Sequence, residues 1–487
     1  MFRLRLLLLL PLAAHAAPFI IEVVDQETGR GVPLVELQAM GYATFVTDSA
    51  GLAAIGDPVL IGQRAIFEVR GHGYEFDGRV LGDKPRVAIT LTAGGRERIK
   101  IRRVNIAERL YRITGGGIYA DSVAAGAPVP IKQPLLNAGV FGQDTADAIP
   151  YRGKIFWIWG DTLLPGGFNF SVSGATSLLP AQGGLDPAIG VDLTYFTGAE
   201  GRSRAMLPLP RKGLVWIEGL FIVRDPDGED RLLATYTRQQ GLVPPDECGV
   251  ALYSNAKQVF EPWIGRPCVH GHVSSHPFLH TENGREYWYL FPIERVPNNW
   301  DAVRDPKQWE AYTCVKDGAV VDLKQPQYER DPEGRLLWRW RAGAARFDAR
   351  DERRLLNAGL MKPEEARFAL IDAATGKPSG ASASAAMWSD YRKRWILLAE
   401  RSGDVFYSEA ERPEGPWIKA VRVVSHNVYN FYNVVMHPFF TPDGGRVIYF
   451  EGTYTDTFTD AKNITPRYNY NQIMYRLRLD DPRLNVK

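Results

Sequence analysis

One phrase recurs along this chain and limits the folds open to it. Residues 137–162 hold a short strand that carries Asp144 and runs into Ala148 and Ile149. A turn at 151–154 follows, then an aromatic strand, 155–159, that ends in Gly160, Asp161 and Thr162. Four later stretches repeat the plan of strand, turn and apolar strand: 216–237, 273–291, 382–400 and 434–451. Their turns carry Asp225-Pro226-Asp227-Gly228, Glu282-Asn283-Gly284, residues 389–392 and residues 442–445. A third strand follows several of these pairs, at 249–254, 404–408 and 472–477, and two of them lead to a Pro-Trp corner at Trp263 and Trp417. The units start roughly 55 to 75 residues apart with one longer gap, which is the spacing of a blade repeat. One small twisted sheet cannot bury both faces alone. Stacking such sheets round an axis buries them and leaves a central funnel. The expected fold is all-β: a five-bladed β-propeller preceded by a small β-sandwich.

The chain has 487 residues, enough for two domains with ample cores. Its formal charge is +2 with no basic block, so no nucleic-acid or anionic-membrane partner is expected. Arg3 and Arg5, the apolar run 6–12 and the small residues around His15 form a signal peptide over 1–16. That places the protein outside the cytoplasm, in the periplasm or beyond the cell. No later run reaches about 18 apolar residues, the length a membrane span needs. Residues 17–93 alternate apolar and polar positions as a sandwich does. Residues 94–133, with Gly94-Gly95, Gly115-Gly116-Gly117 and Pro128, predict an irregular linker or wrapping segment. The basic run 96–103 within it reads best as a solvated strand face. The propeller spans 134–487, with an insertion at about 300–377 in which Pro363, Glu364 and Glu365 open a helix over 363–370. Cys248 and Cys268 are the nearer pair among three cysteines; a disulfide between them and three unpaired thiols fit the sequence equally well.

In a propeller the first strand of each blade faces the axis, so polar groups far apart in sequence converge. Those strands offer Asp144, Glu218, His276, Ser384 and His437, with Asp161 and Glu451 at the ends of second strands. Glycoside cleavage needs two carboxyl groups, one to protonate the leaving oxygen and one to activate water or attack the sugar. Asp144, Glu218 and Asp161 are the candidates; Asp161 can equally cap its own loop through backbone amides. His270 and His272 put two rings on one strand face, a geometry for metal, and His272, His276 and His437 serve as well for sugar contact or for packing. Residues 425–433 are dense in amides and rings. Asn430 and Asn433 there suit sugar hydroxyls, or they bond their own loop. Glu451 completes the substrate-binding set. No cofactor is called for, although a structural calcium or other metal ion has room here. No phosphate-cradling, dinucleotide or nucleophile-elbow glycine pattern sits in a suitable context.

At Gly142-Gln143-Asp144 with Trp159-Gly160-Asp161-Thr162 the chain resembles a family of secreted five-bladed propellers. Many members of that family have no known function, and some relatives are endo-D-arabinanases. Tyr391, Gly415-Pro416-Trp417, His437-Pro438-Phe439 and Tyr449-Phe450-Glu451 match the phrases of that family. The resemblance implies a propeller glycoside hydrolase in which Asp144 is base or nucleophile and a glutamate from a later blade is the acid, for which Glu218 is the candidate. The fourth unit departs from the pattern, with Ser and Ala at 382–386 where a charge is expected. Residues 31–37 and 47–51 resemble the carboxypeptidase-regulatory-like modules of secreted enzymes, which are Ig-like or transthyretin-like sandwiches. The expected function is an exported glycoside hydrolase acting on a polysaccharide or oligosaccharide. Two other readings stay open. One is a lyase in which His276 or His437 takes the proton beside a uronate held by Arg238 or Arg295. The other is a carbohydrate-binding propeller without chemistry. Sequence leaves the oligomeric state open.

Overall fold

The computed structural model describes residues 17–169, 172–268, 276–291, 294–319, 322, 324–344, 346–441, 443–461, 465 and 469–486, without the side chains of Asn169, Glu218 and Asp443. The expected signal peptide lies outside these residues. The first eight strands form one folded-over sheet around its own core. Toward one edge it holds a parallel pair, Phe19–Asp25 against Arg96–Arg103. In the latter, Ile99 and Ile101 turn inward, while Arg98, Lys100 and Arg102 stay in water. The segment expected to be irregular from residue 94 is thus a strand of the sandwich, because its period-2 apolar pattern fills that core.

Among the described residues a small sheet of Gly142–Gln143, Thr162–Leu164 and Gly167–Asn169 and five larger sheets follow, the larger ones antiparallel but for one edge pair in the fourth. The first comprises Ala146–Tyr151, Lys154–Trp159, Ser173–Ser177 and Thr194–Tyr195. The second comprises Leu214–Arg224, Asp230–Gln239, Glu247–Ser254 and Val259–Gly265. The third starts with Phe278–Glu282 and Arg285–Leu290, and gains two strands from the insertion, Glu310–Thr313 and Arg339–Ala342. The fourth runs from Ser382–Ser389 outward to Lys419–Val424 and Ile371–Asp372. The fifth comprises Asn430–Met436, Val447–Thr455, Asn471–Arg478 and, from far upstream, Glu108–Arg112.

Shared cores arrange these sheets in a ring. Phe156 and Ile158 of the first pack with Leu220 and Tyr236 of the second. Phe221 and Leu233 pack with Trp288 and Val296 of the third. Phe278 and Phe291 meet Trp395 and Leu397 of the fourth. Ile396 and Tyr407 meet Phe431 and Phe450 of the fifth. Val435 and Tyr449 return to Trp157 of the first. The first strands lie innermost: Ala146–Tyr151 touches both Leu214–Arg224 and Asn430–Met436, which in turn touches Ser382–Ser389. The molecule is a β-propeller with an N-terminal β-sandwich.

One expectation for the insertion is corrected, and the cysteine question is resolved. No helix forms over 363–370; only a single turn, Pro363–Glu365, does. The carboxylate of buried Glu352 accepts the Arg367 and Phe368 amides at 2.7 and 3.1 Å and bonds the Arg367 guanidinium at 2.6 Å. Those amides are therefore taken by a side chain instead of a helical turn. The longer helix of the insertion is Ala349–Asn357, opened by a capping box at Asp348. Cys248 and Cys268 form a disulfide. Cys314 is buried and free, and burial pushes its thiol up to about 12.

Candidate active site

Two loops meet back to back where the innermost strand of the first sheet begins. Gly160 N–H donates to the Asp144 carbonyl at 2.9 Å, and Asp144 N–H donates to the Asp161 carbonyl at 3.2 Å. The carboxylate of Asp144 folds onto this pairing, and its Oδ1 accepts the Asp161 amide at 2.8 Å. A Cβ on Gly160 would stand 2.6 Å from that Oδ1, so only glycine lets the carboxylate approach. The other oxygen, Oδ2, accepts from the Tyr432 hydroxyl at 3.1 Å. Asp161 Oδ1 accepts the indole N–H of Trp216 at 3.1 Å. The site thus gathers side chains from the first, second and fifth sheets.

A second tyrosine closes this group. Tyr470 has φ +64°, and its carbonyl accepts the Gln143 amide at 2.8 Å. A Cβ on Gly142 would lie 2.3 Å from that carbonyl oxygen, so Gly142 sets the approach. The Tyr470 hydroxyl stands against the Asp144 carboxylate and the Tyr432 hydroxyl. Burial raises both phenols, and the negative charges of Asp144 and Asp161 raise them further. Both tyrosines are therefore neutral donors at any ordinary pH. Exposed rings stand outside them: Phe168, 46% exposed, lies 5.6 Å from Tyr470, and Phe458, 81% exposed, lies 6.4 Å from Tyr432.

Strain concentrates in the same place. Thr145 has φ +48° and Asn433 has φ +53°, and the Asn433 amide donates to the Thr145 hydroxyl. A β-branched residue in the left-handed region is a true outlier, and such outliers gather at functional sites. The inner strands also break register at matching places, between Ile217 and Gly219, Ala383 and Ala385, and Tyr432 and Val435. Bulges of this kind re-aim side chains beside active sites.

A second polar group lies further along the axis. Asp147 accepts the Leu220 amide at 2.7 Å, and its other oxygen lies 3.9 Å from Nδ1 of His276. His276 is 7% exposed, and neither ring nitrogen has a hydrogen-bond partner among the described residues. Glu400 accepts the Val434 amide at 2.9 Å. Burial raises its carboxyl above the ordinary value, against the amides of Val434 and Asn433 and the ring of His276.

The residues singled out from sequence are placed as follows. Asp144 and Asp161 come together, with Asn433 beside them. Glu218 stands on the bulge of the second sheet two residues from Trp216, and its side chain is outside the described set. Asn430, half-buried, accepts the Phe431 amide at 3.0 Å. His272 lies outside the described residues, and His276 joins the axial group. His437 and Glu451 are not at the mouth. Each is essentially buried, and they bond each other at 2.8 Å in the core between the fifth and first sheets, against Trp157. Tyr432, Tyr470, Trp216, Asp147 and Glu400 escaped sequence reasoning. The signal for Tyr432 was its place in the ring- and amide-rich stretch 425–433, beside Asn433.

Among the described residues no cluster of three or more His, Cys, Asp or Glu could hold a metal, and no helix is long and apolar enough to cross a membrane. No family profile matches the chain. No curated protein matches it. Among solved structures it is similar to a putative exo-beta-1,3-galactanase from Bifidobacterium bifidum s17, at 11% identity over 77% of this chain and 94% of that one, with a TM-score of 0.35. It is also similar to a GH43_1 enzyme from Xanthomonas citri, at 10% identity over 70% and 88%, with a TM-score of 0.35. A protein of unknown function from Dyadobacter fermentans is similar at 9% identity over 77% and 99%, with a TM-score of 0.36. The fold stands on the sheet order and shared cores above, and the site on its distances.

Proposed function

We propose that this chain is a glycoside hydrolase that cleaves a polysaccharide or oligosaccharide at the mouth of the ring. The observation that carries this reading is the pair Asp144 and Asp161. The Asp144 carboxylate sits on the Asp161 amide over a glycine whose Cβ would collide with it, beside strained backbone and exposed rings. Such a pair suits a reaction that builds positive charge on a sugar ring. Asp144 is base or nucleophile. Asp161 orients it and tunes its charge. Glu218, on the bulge of the second sheet two residues from Trp216, is assigned as the acid. Phe168 and Phe458 offer flat apolar faces to sugar rings.

The lyase alternative has less support. Arg238 bonds Asp246 and Glu247, and Arg295 bonds Glu282 and Glu310, so both cations it would use are engaged. The five sheets are read as the blades of a five-bladed propeller, the first strands as an Ig-like module, and residues 1–16 as the signal for export.

The test is a polysaccharide panel assayed for new reducing ends and for unsaturated products. Asp144→Asn should lower kcat by about 10³-fold or more while calorimetry shows retained binding. Glu218→Gln should spare an activated aryl glycoside far more than a natural linkage, because a good leaving group needs no acid. Turnover by Asp144→Asn at the native rate refutes the assignment.

A further inference from the structure

The Asp144 carboxylate is unusually well furnished with donors. Its Oδ1 takes a backbone amide at 2.8 Å, its Oδ2 takes the Tyr432 hydroxyl at 3.1 Å, and the Tyr470 hydroxyl stands beside it. Three different parts of the chain supply them: the loop after the second strand of the first sheet, the inner strand of the fifth sheet, and the left-handed turn before the last strand. Neither phenol is placed by chance. Tyr432 precedes the bulge of its strand, and Tyr470 keeps a backbone conformation that a β-carbon favours little. Hydroxyls of high pKa donate without ever competing for the negative charge.

We infer that Tyr432 and Tyr470 are positioning residues that clamp the Asp144 carboxylate in one rotamer and keep it ionised. This rests on the role proposed for Asp144. Donors to the charged form favour it, whereas partial burial and the like charge of Asp161 oppose it. The titratable groups shown beside Asp144 are Asp161 from the paired loop, Tyr432 from the fifth sheet and Tyr470 from the turn before that sheet's third strand. Asp161 is carried by the same paired loops in every variant below, so the phenols can be removed one at a time against a constant background. With both phenols present the carboxylate is ready as base or nucleophile over a wide acid range. Without them it takes a proton sooner and turns more freely.

The experiment measures the protonation of Asp144 directly, without turnover. The full-length protein is labelled with a carbodiimide and an amine over a pH series, and modification of Asp144 is read by peptide mass spectrometry. Tyr432→Phe and Tyr470→Phe should each raise the labelling midpoint by roughly half a unit to one unit, and the double variant by more. The acid limb of kcat should move up by the same amount, with kcat at its new plateau within about tenfold of native. An unmoved midpoint in a variant that keeps the native circular dichroism overturns the inference, whatever happens to activity. A variant that loses its fold is replaced by Tyr432→Gln or Tyr470→Gln, which retain an uncharged donor and should return the midpoint toward native; a midpoint no closer to native than that of the Phe variants overturns the inference. If the native protein cleaves no glycan, the labelling midpoints still decide the clamp, and only the hydrolase reading falls.

Discussion

At Gly160 one hydrogen stands where any other residue has carbon, and the site depends on it. Gly160→Ala would set a methyl 2.6 Å from Asp144 Oδ1 and force the carboxylate off the Asp161 amide. A displacement of about 1 Å at a reacting group costs on the order of 10²-fold in rate, so kcat should fall by about that factor while the melting temperature changes little. Steady-state kinetics beside a thermal melt checks both halves. The two aspartates were legible because they punctuate a repeated phrase. The two tyrosines were not, since tyrosine is an ordinary strand residue and 21 of them occur here. His437 misleads for a different reason. The phrase His-Pro-Phe occurs at His276 and again at His437, but the first precedes the inner strand Phe278–Glu282 and the second follows Asn430–Met436. One phrase therefore lies at opposite ends of two equivalent strands, and only the first histidine reaches the axis.

Among the elements, the strand Glu108–Arg112 is the least expected and the most consequential. All five residues are buried, and they complete the fifth sheet beside Asn471–Arg478. Tyr111 is 1% exposed, packs in the core shared with the first sheet, and donates to the Pro187 carbonyl at 2.7 Å. Truncating it to Ala should cost about 3–5 kcal/mol, the range for a large buried aromatic, measured by urea unfolding. A loss below about 1 kcal/mol would mean that the strand is dispensable. Pattern reading missed this strand because five residues with no alternation, flanked by glycines and a basic run, carry no period to detect. The insertion helix was misplaced by the opposite error: Pro363 and two glutamates make a good start signal, but Glu352 claims the next amides.

On the scale of the whole molecule, the sandwich and the ring meet at a histidine. Nδ1 of His72 accepts the Asn427 amide at 3.0 Å, with the rings of His426 and Tyr454 about it and the Arg109 guanidinium over Tyr74 nearby. Burial, then Arg109 and Arg70, hold its pKa down to about 3. Unfolded histidine titrates near 6.5, so between these values the unfolded chain binds the extra proton. The stability this seam contributes is complete above pH 6.5 or so and drains as pH falls toward 3. The melting temperature should drop across that window, and His72→Gln, which keeps an acceptor without titrating, should flatten the slope. The ring itself was legible from five recurring units; how it shuts was not, because nothing local ties residues 108 and 476 together. Glu108 and Arg476 bond across 368 positions of chain. While the polypeptide is being made, the strand destined to seal the circle must wait for its neighbour until nearly every residue has appeared. Any product that stops short of Asn471 therefore presents two bare edges, ready to join those of another unfinished copy.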